Sequence, residues 1–218
     1  MRPEEYDAWY ATQRGAWIGT REYRLLVRLL EPRPGDTLLD VGCGTGYFTR
    51  RFEAGGFRTR VTGADLDLGA LRYASQHSAR RAETYVCADA RTLPFPDRSV
   101  DLVISVTALC FINEERAALA EMLRVARRRV ALGLLNRHSL LYLEKGRGEG
   151  KGAYRGARWH TPRQALALFT GLPVSSTRLA TAVFLPRAGL LARRVEPCLQ
   201  NVGAEWGSFI AVTADHPQ

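Results

Sequence analysis

Leu38-Leu39-Asp40-Val41-Gly42-Cys43-Gly44-Thr45-Gly46-Tyr47-Phe48 reads as a strand, a sharp turn and the start of a helix. Glycine lets a backbone turn tightly and approach a ligand closely. A helix start offers unpaired N–H groups and the positive end of a dipole. In an open α/β sheet, that combination at the carboxyl end of the first strand suits a nucleotide-like cofactor. The glycine spacing is GxGxG. Tyr47 stands where a dinucleotide-binding loop has its last glycine, which weakens a nicotinamide or flavin reading.

The flanking sequence supplies the rest of such a sheet. Upstream, Tyr23, Leu26, Leu29 and Leu30 share a face, so the first thirty residues read as helix until Pro32 and Pro34 stop it. Thr37–Val41 is the first strand. Tyr47–Glu53 is a helix ended by Gly55-Gly56, and Thr59–Ala64 a strand. Leu68–His77 is a helix with Asp67 as its N-cap, and Thr84–Cys87 a strand. Asp101–Val106 reads as a continuous, mainly apolar strand and Val130–Leu135 as a strand with no alternation, as expected when both faces are covered, with helical spacing between them over residues 114–127. This order predicts an α/β fold with a doubly wound, mostly parallel, seven-stranded sheet. Val174–Leu185 and Trp206–Thr213 read as an antiparallel closing pair, with a partly helical Pro186–Val195 between them. Before them lies a basic, glycine-rich stretch, Lys145–Gly152. Thr161-Pro162 then caps a helix over Gln164–Phe169. One domain is expected: a helical cap (1–35), a core (36–135) and a substrate-side insertion with closing strands (136–218).

At 218 residues, 46% hydrophobic and 24% charged, the composition is globular and excludes collagen, coiled coil and wholesale disorder. No apolar run approaches the ~20 residues that span a bilayer. The N-terminus, MRPEEYDAWY, lacks the pattern of a secretory signal, so a cytoplasmic location is expected. Cys43, Cys87, Cys110 and Cys198 form no CxxC pair, and His77, His138, His160 and His216 no HxxxH. Neither a metal site nor a disulfide framework is expected, and Cys87 and Cys110 read as buried thiols.

Three further motifs follow the glycine turn. Val61-Thr62-Gly63-Ala64-Asp65 ends a strand with an acid, and Cys87-Ala88-Asp89-Ala90 follows another. Leu93-Pro94-Phe95-Pro96-Asp97 precedes Val100–Ser105. With these in order over residues 36–135, the sequence resembles the class I S-adenosylmethionine-dependent methyltransferases. It looks most like the small-molecule group that includes quinone-biosynthesis C-methyltransferases. The resemblance implies that Asp40, Gly42, Cys43, Gly44 and Gly46 surround the methionine half of S-adenosylmethionine. It implies that Asp65 accepts from the ribose hydroxyls, that Leu66 packs on adenine, that Asp89 and Ala90 meet the adenine edge, and that Val106 faces the cofactor. Asp101 reads as structural.

Methyl transfer is an in-line displacement that depends chiefly on alignment, so no fixed triad is expected. Arg137-His138, just past the fifth strand, offers His138 as a candidate base. Tyr6, Tyr10 and Trp17, with Trp9, form an aromatic face that could wall a substrate pocket, and His160 beside Trp159 is a candidate substrate contact. Many members of the class carry His where Cys110 stands. Ser105-Val106-Thr107-Ala108 replaces the Asn/Asp-Pro-Pro-Tyr/Phe and Pro-Cys motifs, which demotes methylation of adenine or glutamine nitrogen and of cytosine carbon. The acceptor is therefore expected to be a small or lipid-like molecule. Transfer to tRNA or rRNA and non-catalytic cofactor binding are the alternatives.

Charge motivates the RNA alternative. The chain carries +9, and only Lys145 and Lys151 of its 31 basic residues are lysines. Residues 111–218 hold 16 basic and 8 acidic residues, residues 1–110 hold 15 and 14, so the excess lies away from the cofactor motifs. Arg127-Arg128-Arg129, ahead of the fifth strand, should sit on the sheet edge opposite the cofactor. Arg137 and the Lys145–Arg158 loop remain as a lead toward an anionic acceptor.

Overall fold

The computed structural model describes residues 2–57, 59–78, 83–187 and 189–217. Its centre is a seven-stranded sheet in the order β3-β2-β1-β4-β5-β7-β6. The strands are β1 (Thr37–Val41), β2 (Arg60–Asp65), β3 (Thr84–Cys87), β4 (Val100–Val106), β5 (Ala126–Leu135), β6 (Ser176–Ala182) and β7 (Phe209–Asp215). The first five pair in parallel, and β7 runs antiparallel to both β5 and β6. The chain reverses beside β1, with β2 on one side and β4 on the other, and this is where such sheets open a ligand crevice.

Successive residues of β1 and β4 point to opposite faces, so one apolar run serves two cores. Leu39 and Val103 join Leu119, Met122 and Leu123 of α5 (Glu115–Val125) on one side. Leu38, Leu102 and Ile104 join Leu26 and Leu30 of α2 (Gln13–Leu30) and Phe48 and Phe52 of α3 (Tyr47–Glu53) on the other. All of these are buried. Each contributes about 1.5–3 kcal/mol relative to exposure.

The N-terminal thirty residues are two helices rather than one. Thr12 is extended (ψ 153°) between α1 (Pro3–Ala11) and α2. Its hydroxyl accepts from Gly15 N at 3.0 Å and donates to Trp9 O at 2.7 Å, which caps α2 and breaks the run. Asp67 caps α4 (Leu68–Gln76), accepting from Gly69 N and Ala70 N. Thr161 opens α6 (Pro162–Ala167) with a reciprocal capping box to Gln164. The last helix, α7 (Leu190–Asn201), starts later than the expected Pro186–Val195, of which residue 188 lies outside the described residues.

β5 begins at Ala126, so Arg127–Arg129 lie within the strand rather than before it, at its amino end and on the edge away from the glycine turn. Arg129 is buried there. Its guanidinium donates to Asp215, to Glu31 and to the Leu29 and Leu30 carbonyls at the end of α2. Arg128 pairs with Asp36, and Arg178 with Glu31. These arginines satisfy a helix C-terminus that Glu31 closes in the left-handed conformation.

Arg129→Met should therefore lower stability by about 3 kcal/mol, because it strands Asp215 and two buried carbonyls. The thermal midpoint should fall by roughly 6–12 °C for a chain of this size. An unchanged midpoint by circular dichroism would refute this role. Hydrogen bonds from Arg178 and Arg129 hold the Glu31 carboxyl down at about 2. Because its folded pKa lies below the ordinary 4.5, this contribution is complete above that value and is lost as pH falls toward 2.

Candidate active site

The glycine turn joins β1 to α3. Gly42 (φ 74°), Gly44 (φ 53°) and Gly46 (φ 76°) are all left-handed. At Gly42 a Cβ would lie 2.2 Å from the Ala108 Cβ, so the two loops after β1 and β4 touch through the missing side chain. On the side where a Gly44 Cβ would project there is open space. Cys43 lines the same turn, and burial pushes its thiol pKa up.

Asp65, at the carboxyl end of β2, holds this turn in place. Its Oδ2 accepts from Gly44 N at 2.7 Å and its Oδ1 from Asp67 N at 2.9 Å. Leu66 and Leu68 beside it are 65% and 56% exposed, apolar surface left open at the rim. Asp89 and Ala90 follow β3, which pairs with β2. Asp89 is engaged by its neighbour: Arg91 donates to both carboxylate oxygens and also reaches Glu114. Hydrogen bonds from Arg91 hold Asp89 at about 2. Asp40 is buried under the turn and accepts from the Thr49 hydroxyl at 2.7 Å, while burial pushes its pKa up to about 7.

A cavity of about 360 Å³ opens over the turn. Its floor includes Asp40, Gly42, Cys43, Gly44, Val106 and Thr107. Thr107 (φ 54°) and Val183 (φ 64°), both in the wall, are β-branched residues in the left-handed region, a strained conformation that concentrates at functional sites. Tyr6, Trp9 and Tyr10 of α1 form the roof. The Tyr10 ring stacks on Tyr47 at 3.6 Å, and its hydroxyl meets that of Tyr6 at 3.3 Å. Asp7 latches this roof to the turn by accepting from Arg50 at 2.7 Å and from the Thr45 hydroxyl at 3.1 Å. Arg14, Ile18 and Glu22 of α2 form a further wall, and Lys145 and Tyr154 stand opposite in the loop region.

Several expected site residues lie elsewhere. Trp17 does not line the cavity. The break at Thr12 resets the helical phase, so Trp9 takes part instead while Trp17 packs under Arg21, 5.9 Å from the ring. His138 is exposed and outside the cavity lining. The neighbouring Asn136 is buried and holds this corner, donating to the Glu205 and Gly207 carbonyls and accepting from His138 N. His160 is buried in a separate cleft, where its Nε2 meets Glu115 at 3.0 Å and its backbone extends the end of β5. Burial lowers its pKa despite Glu115. Cys110 is buried and its pKa pushed up to about 12, but Cys87 is exposed, because β3 is the outermost strand. Asp101 bonds Thr37 and Arg127 and is structural. Among the described residues no helix is long and apolar enough to cross a membrane, and no cluster of three metal-ligating side chains occurs.

Asp7, Arg14 and Glu22 escaped the sequence reading. None belongs to a motif, and only the fold of α1 and α2 over the turn brings them to the site.

Comparison with known proteins agrees with this geometry. Residues 39–132 match the family model described as a methyltransferase domain. A malonyl-[acyl-carrier protein] O-methyltransferase from Serratia marcescens is 40% identical over 122 residues, 56% of this chain and 44% of that protein. A demethylmenaquinone methyltransferase from Renibacterium salmoninarum is 37% identical over 110 residues, 50% of this chain and 44% of that protein. The chain thus spans less than half the length of these curated relatives. A Thermotoga maritima structure, a SAM-dependent methyltransferase described as a possible histamine N-methyltransferase, superposes with a TM-score of 0.75 at 20% identity. The match covers 98% of this chain and 96% of that one, and it speaks to the fold. The seven-stranded sheet is the fold of class I S-adenosylmethionine-dependent methyltransferases. Residues 39–132 match the methyltransferase domain model.

Proposed function

We propose that this chain transfers a methyl group from S-adenosylmethionine to a small-molecule or lipid-like acceptor held under the aromatic roof. The observation that carries the reading is the single cavity shared by the glycine turn and the rings of Tyr6, Trp9 and Tyr10. Asp40, Gly42, Cys43, Gly44 and Gly46 would hold the methionine half of the cofactor, and Val106 would face it. Asp65 would take the ribose hydroxyls on the lone pairs that Gly44 N and Asp67 N leave free. Leu66 would cover adenine, and the open space at Gly44 favours a close backbone approach. Asp89 and Ala90 would meet the adenine edge, with Arg91 sharing or yielding the carboxylate. Bound there, S-adenosylmethionine supplies a methyl group on a sulfonium that is already a good leaving group. The chain contributes alignment and the exclusion of water, and alignment alone can be worth ~7–11 kcal/mol.

A small or lipid-like acceptor is favoured by the apolar, aromatic walls and by the names of the two relatives. RNA is disfavoured because Arg128, Arg129 and Arg178 are spent on Glu31, Asp36 and Asp215. The test is transfer of labelled methyl into a cell extract fractionated into RNA, protein, lipid and small molecules. Label in the lipid or small-molecule fraction is expected, and label confined to RNA would overturn the acceptor assignment.

A further inference from the structure

Arg14, Ile18 and Glu22 are spaced four residues apart and form one stripe of α2 facing the cavity. The two charged residues are about 12 Å apart along the helix axis, too far to neutralise each other. Among the described residues Glu22, half-buried in the cavity wall, has neither a hydrogen-bond nor an ion-pair partner, and Arg14 Nε is buried without one. Ser208 adds a buried hydroxyl, also unpartnered, in the same wall. Unsatisfied polar groups around an otherwise aromatic cavity are costly to the protein alone and are explained by a ligand that satisfies them.

We propose that Glu22 is the general base of the reaction, taking the proton from a weakly acidic hydroxyl acceptor such as a phenol, an enol or a hydroquinone. In that step the acceptor O–H bond breaks and the proton moves to a Glu22 carboxylate oxygen. The electron pair left on the acceptor oxygen forms the bond to the methyl carbon. The pair of the breaking carbon–sulfur bond stays on sulfur, which loses its positive charge. Arg14 and Lys145, in the same cavity, stabilise the negative charge that develops on the acceptor oxygen and oppose a cationic amine. A carboxylate acceptor arrives already ionised and has no use for a base.

The surroundings of Glu22 fit this role. The charged and titratable groups lining the cavity around it are Tyr6 and Tyr10 from α1, Arg14 from α2, Asp40 from β1, Cys43 from the glycine turn, Tyr47 from α3, and Lys145 and Tyr154 from the loop. Burial pushes the Glu22 pKa up to about 8. Burial and then the Glu22 charge raise the phenol of Tyr154 to about 12, so it stays protonated beside the carboxylate. The ionised form is the base, so the rate should rise as pH climbs through about 8 and then level off.

The inference rests on the methyltransferase reading above, and the test separates the two. S-adenosylhomocysteine that fails to bind in calorimetry defeats that reading itself. The first readout needs no turnover: infrared difference spectra of wild type minus Glu22→Gln between pH 6 and 10. A protonated-carboxyl band lost with a midpoint near 8 is expected, and a carboxyl fully ionised at pH 6 overturns the proposal. The second is labelled-methyl transfer to 1-naphthol, 1,4-naphthohydroquinone, octanoic acid and octylamine. Label on a hydroxyl probe is expected. Glu22→Gln should lower kcat at least about a hundredfold, with KM within about threefold, and flatten the pH rise. Glu22→Asp, which keeps a carboxylate, should recover part of kcat. Label on the acid or the amine, no label on either hydroxyl probe, or an undiminished Glu22→Gln rate overturns the proposal. Circular dichroism confirms that each variant is folded.

Discussion

Gly42→Ala is expected to weaken S-adenosylhomocysteine binding at least about thirtyfold in calorimetry. Two costs act together. An alanine at φ 74° pays about 1–2 kcal/mol for the left-handed conformation. Its Cβ would also sit 2.2 Å from the Ala108 Cβ, and such overpacking costs about 1–3 kcal/mol. Neither contact can relax cheaply. Gly42 N and Cys43 N are both tied to the Ala64 carbonyl, and the Ala108 loop follows the strained Thr107. The loops after β1 and β4 must move apart, and both border the cavity. At 1.4 kcal/mol per tenfold, the summed cost of about 2–5 kcal/mol corresponds to about 1.4–3.6 decades of affinity when it is expressed in the site. Affinity within threefold of wild type would show that the turn is not part of the cofactor site.

Asp65→Ala should weaken the same ligand at least about tenfold, because the two charge-assisted hydrogen bonds proposed to the ribose would be lost. The structure adds a second reason. The Asp65 carboxylate also fixes Gly44 N and Asp67 N, so its removal loosens the turn before any ligand arrives. Asp65→Asn retains one acceptor oxygen and should fall between wild type and alanine. The ligand-free thermal midpoint separates the effects: loss of affinity with little change in midpoint marks the ribose contact. Unchanged affinity in the alanine variant refutes the assignment.

The parts these two residues play in the turn are legible because they are local. A left-handed turn needs glycine wherever the chain goes next, and an acid ending a strand beside that turn follows from the parallel order of β1 and β2. Most element positions were legible for a similar reason, since short, mostly apolar runs such as Leu102–Val106 suit strands covered on both faces. The misreadings have a shared cause. Trp17, His138 and His160 were candidates because aromatic and imidazole side chains suit a pocket. Their directions depended on a single capping hydroxyl at Thr12, on Asn136 holding the corner after β5, and on Glu115 reaching His160 from another helix. Cys87 was read as buried from apolar neighbours, but strand order decides exposure, and β3 lies at the edge.

The stretch from Leu38 to Phe48, with the strands around it, determined by itself the sheet class and the left-handed glycine turn at the end of β1. Those properties are set by backbone conformation and by alternation along the chain. The positive charge, the cavity walls and the candidate base were decided only by tertiary structure. Arg129 and Glu31 are 98 residues apart, and their pairing turns apparent binding charge into a helix cap. Glu22 looks like an ordinary helical glutamate in the sequence. Among the described residues it becomes an unpaired carboxylate lining the cavity over the glycine turn only because α2 packs its leucine face on the sheet and turns the Arg14–Ile18–Glu22 stripe toward that turn.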